Sequence, residues 1–202
     1  MCPVIGIILR KDVSSSGKKI RIVYDDVISA VIKSGGIPIM IPNDDIYRYL
    51  NMCNGFILQG GDTIDNNNLE LLKVFTNKNI PILGICLGMQ EMGVFDNGKL
   101  IDVSGHLNDG LHEIIINKDS LLYKIIGFSK ILVNSRHKSV IKNTNLFVSS
   151  ISSDNQIESI ENRDLNFYLG LQWHPENMYN DDINARKIFD YFIKVCNDCI
   201  DR

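Results

Sequence analysis

The sequence predicts an α/β protein of three layers, a mostly parallel central sheet flanked by helices. Three observations predict it. The first half alternates short apolar runs with segments of helical period. The apolar runs are continuous, as in strands covered on both faces. Strands separated by helices require right-handed crossovers, which leave neighbouring strands parallel.

Val4 to Leu9 is the first such run, and Lys11 to Lys19 reads as a polar loop. Ile22, Val23, Val27, Ala30 and Val31 recur at helical spacing and stop at Gly35-Gly36. Ile37 to Ile41 is the next strand, closed by Pro42, and Ile46 to Met52 reads as a short helix. Gly55 to Leu58 is a third strand running into Gln59-Gly60-Gly61-Asp62, followed by an Asn-rich loop and a helix around Leu69 to Phe75. Ile80 to Ile85 is a fourth strand, ending at Cys86. The second half reads as extended at Glu113 to Ile116, Lys130 to Val133, Leu146 to Ser150, Ile157 to Ile160 and Phe167 to Gln172. An amphipathic helix from about Asp182 to Val195 follows, with Ile183, Ile188, Phe189, Phe192 and Ile193 on its apolar face. No linker or internal repeat interrupts this order, so residues 1–202 are expected to form a single domain.

Composition narrows the function. The net charge of −3 and the lack of a basic block argue against nucleic acid, whose phosphates need clustered Lys and Arg. No apolar stretch is long enough to span a bilayer, and the N-terminus runs directly into a strand, so a soluble cytoplasmic protein is expected. Five cysteines at scattered spacing argue against a disulfide framework. Cys196 and Cys199 read as ordinary helix cysteines. His106 and His112 read as surface residues, and four histidines without paired ligand spacing suggest neither a metal site nor a cofactor.

The informative segment is Gly84-Ile85-Cys86-Leu87-Gly88-Met89-Gln90. A strand, a tight turn and a helix with a thiol at the corner would present a nucleophile unobstructed by neighbours. A thiol needs help to ionise at neutral pH, and a helix N-terminus and an imidazole both supply it. Gly170-Leu171-Gln172-Trp173-His174-Pro175-Glu176 offers that imidazole. If this segment is extended, His174 and Glu176 project to one side, and the carboxylate selects the tautomer a base needs. Acyl transfer also needs two N–H donors for the oxyanion. The amide of Leu87 is one candidate, and an amide of the Gly60-Gly61 turn is the other. Gln90 lies one helical turn after Cys86, and Asn134-Ser135-Arg136-His137 ends a strand with hydrogen-bonding groups.

With these segments in this order, the chain resembles the class I glutamine amidotransferases, on the γ-glutamyl hydrolase branch known as peptidase C26. The supporting segments are Pro3 to Ile8, Ser34 to Pro38, Gly55 to Asp62, Gly84 to Gln90, Val133 to His137 and Gly170 to Glu176. The resemblance implies a flavodoxin-like glutamine amidotransferase fold, a Cys86–His174–Glu176 triad and a γ-glutamyl thioester on Cys86. It places Gly60, Gly61 and Leu87 around the oxyanion. It implies that Gln90, Asn134, Ser135 and His137 help hold the glutamyl group. The expected partner is a small-molecule γ-glutamyl substrate, with neither nucleic acid nor membrane, and a homodimer is left open. The loop after Asp62 lacks the proline expected of that branch and the region from Phe95 to Leu111 is trimmed relative to it, so the leaving amine could be small or as bulky as a nucleotide-linked amidate. The alternatives are a glutaminase that supplies ammonia to a separate synthetase, and an inactive binding module.

Overall fold

The computed structural model describes residues 2–198. The first half follows β1 (Val4–Ile8), β2 (Arg10–Val13), β3 (Lys19–Ile22), α1 (Asp25–Lys33), β4 (Ile37–Ile41), β5 (Gly55–Leu58), α2 (Asn66–Asn77), β6 (Ile82–Ile85) and α3 (Leu87–Phe95). Then come β7 (Lys99–Asp102), β8 (Leu107–Ile116), α4 (Leu121–Ile126), β9 (Lys130–Arg136), β10 (Ser139–Lys142), β11 (Phe147–Ser152), β12 (Ile157–Glu161), β13 (Tyr168–Leu171), α5 (Pro175–Met178) and α6 (Ile183–Asp198). Among the described residues, nine strands form one sheet in the order β4-β1-β5-β6-β13-β12-β11-β8-β9. Pairing is parallel from β4 through β13 and antiparallel from β13 through β9. Helices cover both faces, as the sequence predicts.

Alternate residues of the central strands feed two cores. Ile57 joins α1 and α6 on one face through Val27, Ala30 and Phe189. Phe56 and Leu58 join α2 and α3 on the other through Leu71, Met89 and Met92. Two caps define the helix starts. Asp65 accepts from the N–H of Asn67 ahead of α2, and Ser120 accepts from the N–H of Tyr123 ahead of α4. Helix α1 carries Asp25 and Asp26 in its first turn and Lys33 in its last, matching its dipole.

Several expectations are corrected. The segment Lys11 to Lys19 is not a plain loop but the tip of the β2–β3 hairpin, turning at Ser14 to Gly17. Its strands are exposed on both sides, so no apolar alternation announces them. That hairpin also takes Ile22 out of α1. Ile46 to Met52 is two short 3-10 turns. Helix α4 is too short to display a period, and the β7–β10 pair is largely exposed on β7. Cys196 is buried in the core beneath α6, whereas Cys199 lies outside the described residues. No helix among the described residues is long and apolar enough to cross a membrane.

Candidate active site

Four parallel strands deliver the site at their carboxyl ends, where ligands bind in open α/β sheets. Arg10 follows β1, Gln59 follows β5, Cys86 follows β6, and His174 lies just beyond β13. The register of β6 against β13 pairs Ile85 with Leu171, and the Cys86 N–H donates to the Leu171 carbonyl at 2.7 Å. The next residues of both strands therefore emerge side by side. This brings a thiol from the middle of the chain to an imidazole near its end.

Cys86 itself has φ 50° and ψ −104°, a strained conformation for a residue with a side chain. It is the corner between β6 and α3, as the nucleophile-elbow pattern anticipates. Two close approaches hold that corner. A Cβ on Gly88 would lie 2.0 Å from the backbone carbonyl oxygen of Leu58, and one on Gly84 would meet Met92 Sδ at 2.2 Å. The Met92 side chain can move, but the Leu58 backbone in the sheet cannot. Gly88→Ala is therefore expected to push α3 off the sheet and destabilise the protein by about 1–3 kcal/mol. A urea unfolding midpoint equal to that of the wild type would contradict this.

His174 caps α5 from outside, with Pro175 at the first helical position. Here the extended reading of His174 to Glu176 is corrected, because Pro175 starts a helix instead of prolonging β13. The short helix still returns Glu176 to the ring: His174 Nδ1 and Glu176 Oε1 are 2.7 Å apart. Asn134 fixes the backbone of His174 from both sides, accepting its N–H and donating to its carbonyl, each at 2.8 Å. Burial opposes charge on the ring, but hydrogen bonds from Cys86 and Glu176, with the charges of both, prevail. They raise the His174 pKa from 6.5 to about 10. Contact with Cys86 on one side and the Glu176 carboxylate on the other thus favours the protonated ring.

The chain matches the peptidase C26 family profile over residues 3–70 and 64–176. It belongs to that family. A glutamine-hydrolyzing GMP synthase component of Methanosphaera stadtmanae is 31% identical over 179 residues, covering 86% of this chain and 92% of the relative. A γ-glutamyl-γ-aminobutyrate hydrolase of Escherichia coli O157:H7 is 26% identical over 238 residues, covering 96% and 93%. The glutaminase domain of Trypanosoma brucei CTPS with bound acivicin superposes with a TM-score of 0.73 at 17% identity, over 97% of this chain and 94% of that one.

In this peptidase C26 member the Gly60-Gly61 turn lies against the Cys86–His174 pair. A Cβ on Gly60 would sit 2.8 Å from His174 Cε1 and 3.8 Å from Cys86 Cβ, and one on Gly61 would sit 3.0 Å from Leu87 Cδ2. Sequence reasoning missed the group that holds this turn. Arg10 donates from Nε to the carbonyls of Gln59 and Gly60 at 3.1 Å each, and from Nη2 to Gln59 again. With both carbonyls drawn toward Arg10, the N–H groups of the same trans peptides face the opposite way. Arg10 is held by Glu91 at 2.7 Å, and Glu91 accepts further bonds from Asn68 and the Asp65 N–H.

The remaining sequence-predicted contacts stand behind the thiol. Gln90 donates to the Ser139 carbonyl at 2.8 Å and to Gln172 Oε1 at 3.2 Å, and Gln172 Nε2 lies 3.7 Å from Cys86 Sγ. Ser135 Oγ donates to the His106 carbonyl at 2.6 Å, and His137 packs against His106. The surface reading of His106 and His112 is corrected: His106, just before β8, is buried and His112 of β8 is partly buried, both rings turned toward Glu158 of β12. A cleft of about 490 Å³ opens beside Gly61 and Leu87, lined with Lys11, Asp12, Tyr24 and Asp62 among others.

Proposed function

We propose that this chain is a cysteine-dependent amidohydrolase that cleaves a γ-glutamyl amide through a γ-glutamyl thioester on Cys86, releasing glutamate and an amine. The observation that carries the reading is that Cys86 and His174 meet at the Gly60 turn with Glu176 Oε1 2.7 Å from the ring. The sulfur attacks the γ-carbonyl, and the oxyanion is held by the Leu87 amide and an amide of the Gly60-Gly61 turn. His174 gives its proton to the departing amine, then takes one from the water that hydrolyses the thioester. Glu176 keeps the ring oriented and charged between those transfers. The mixed-charge cleft beside Gly61 suits a polar leaving group, whether a small amine or a larger, nucleotide-linked amidate. Gln90, Asn134, Ser135 and His137 act mainly by fixing the scaffold around the glutamyl group.

The test is mass spectrometry of enzyme quenched during turnover of a panel of γ-glutamyl amides. The expected result is one glutamyl adduct on the peptide carrying Cys86, with glutamate and the matching amine in solution. Turnover without such an adduct overturns the mechanism. The similarity to a GMP synthase component over 86% of this chain favours a second reading, a glutaminase that passes ammonia to a synthetase. Hydrolysis of the panel by the isolated chain at a rate independent of any partner separates the first reading from the second.

The pH profile offers a separate check. With His174 raised to about 10 and required as an acid, kcat/KM is expected to hold through neutral pH and fall as pH rises through that value. Glu176→Gln removes a hydrogen bond and a charge that raise the His174 pKa, so the alkaline fall should move to lower pH. An unmoved or raised limb in that variant would refute the assigned role.

A further inference from the structure

Four ligating side chains converge away from the thiol. Glu158 of β12 is fully buried. Its Oε1 lies 3.2 Å from His112 Nε2, 3.6 Å from His106 Nδ1 and 3.6 Å from His137 Nε2. All three ring nitrogens, and both carboxylate oxygens, are buried without a hydrogen-bond partner. Buried polar atoms are normally satisfied, so five orphans at one point require an explanation.

Direct His–Glu hydrogen bonding does not provide it. At His174 and Glu176 the same pair of groups closes to 2.7 Å. Around Glu158 the separations are longer and the hydrogen-bond geometry fails. They match instead the edges of a coordination polyhedron: donors at about 2.0–2.1 Å from a tetrahedral Zn²⁺ stand ~3.3 Å from one another. One ring nitrogen each of His106 and His112 and a Glu158 oxygen all lie within 4.8 Å of each other.

The outer contacts select the tautomers a metal needs. His106 presents its other nitrogen, Nε2, to Asp154 Oδ2 at 3.0 Å. His137 presents Nδ1 to the Ser139 carbonyl at 3.3 Å, and a carbonyl can only accept. In the neutral tautomers that these contacts select, both rings turn an unprotonated nitrogen toward Glu158, an arrangement that a cation between them satisfies. A metal-bound histidine characteristically donates its second N–H to a carboxylate or carbonyl in this way. A shallow cleft lined with Ser104, Gly105, Ser152 and Asp154 connects the cluster with solvent.

We propose that His106, His112 and Glu158 bind a divalent transition-metal ion, with Zn²⁺ the best match to an N,N,O donor set and water in the fourth position, while His137 packs against the same carboxylate. The ion pins β8 and the residue before it to β12. Its reach extends to the thiol: the Ser139 carbonyl that accepts from His137 also accepts from Gln90, which donates to Gln172 beside Cys86. The site is thus a brace behind the nucleophile.

Metal alone tests this. Full-length wild type, Cys86→Ala, His112→Ala and Asp154→Asn are stripped with chelator, incubated with Zn²⁺ or Co²⁺ and dialysed. Metal content, Co²⁺ visible absorption and Tm are then measured. The expected result is one Zn²⁺ per chain, a tetrahedral Co²⁺ spectrum without thiolate charge-transfer bands, and a Tm that climbs with free Zn²⁺. Cys86→Ala should keep all three and His112→Ala should lose them. Asp154→Asn should bind ~10–100-fold more weakly. Circular dichroism of His112→Ala separates loss of metal from loss of fold, and the wild-type Tm response needs no variant. Equal metal content in wild type and folded His112→Ala would overturn the proposal, as would Co²⁺ bands that vanish only in Cys86→Ala.

Discussion

Cys86→Ala is expected to lower turnover of every γ-glutamyl amide the protein accepts by at least ~10⁴-fold, because nucleophile and base act as one unit. The substitution removes the sulfur while leaving the elbow, the helix and the Gly60-Gly61 turn in place. Substrate binding should therefore survive, and kcat rather than KM should carry the loss. His174→Ala should cost a similar factor, and the double variant little more than either alone. Initial rates of amine release under saturating substrate measure all three. Undiminished turnover by Cys86→Ala would remove the thioester from the mechanism. A double variant whose losses multiplied would mean that the two groups act separately.

The second large effect lies at Arg10 and Glu91, both buried and joined at 2.7 Å. Burial pushes the Glu91 carboxyl up, and the charge and hydrogen bonds of Arg10 oppose that. Glu91→Ala strands a buried guanidinium and is expected to cost about 3–5 kcal/mol of stability, read from a urea midpoint at unchanged slope. Replacing the pair together, as Arg10→Met with Glu91→Leu, should recover much of that stability, since an apolar pair needs no desolvation. Activity should not return with it, because the carbonyls of Gln59 and Gly60 lose the donor that aims their peptides. A stable and fully active double variant would show that the turn needs no such anchor.

The cysteine elbow was legible because its signal is local. Glycines two places to either side of Cys86, between an apolar run and a helix, describe a turn that any chain would have to build in the same way. His174 and Glu176 were legible as residue types, although Pro175 misled the backbone reading by starting a helix. Arg10 and Glu91 could not be read, since 81 positions separate them and only the sheet brings them together. The histidine cluster failed for a related reason. Its residues lie at and just before β8, just past β9 and on β12, and their spacing reflects strand pairing rather than one turn of any element. The one hint available was a ring at position 137 just beyond an apolar strand, which taken alone is an ordinary polar turn. The β2–β3 hairpin escaped because it buries no apolar face along its length, and β7 because it is exposed throughout although its distant partner β10 is buried.

The order in which the chain supplies its strand ends has a consequence for synthesis. The thiol is complete once β6 and the first turn of α3 exist, but its imidazole arrives only after β13 has slid in beside β6. A nascent or prematurely terminated polypeptide that stops short of that insertion carries a cysteine with no acid or base to serve it. The pairing of sulfur with ring waits until the last interior strand closes the sheet.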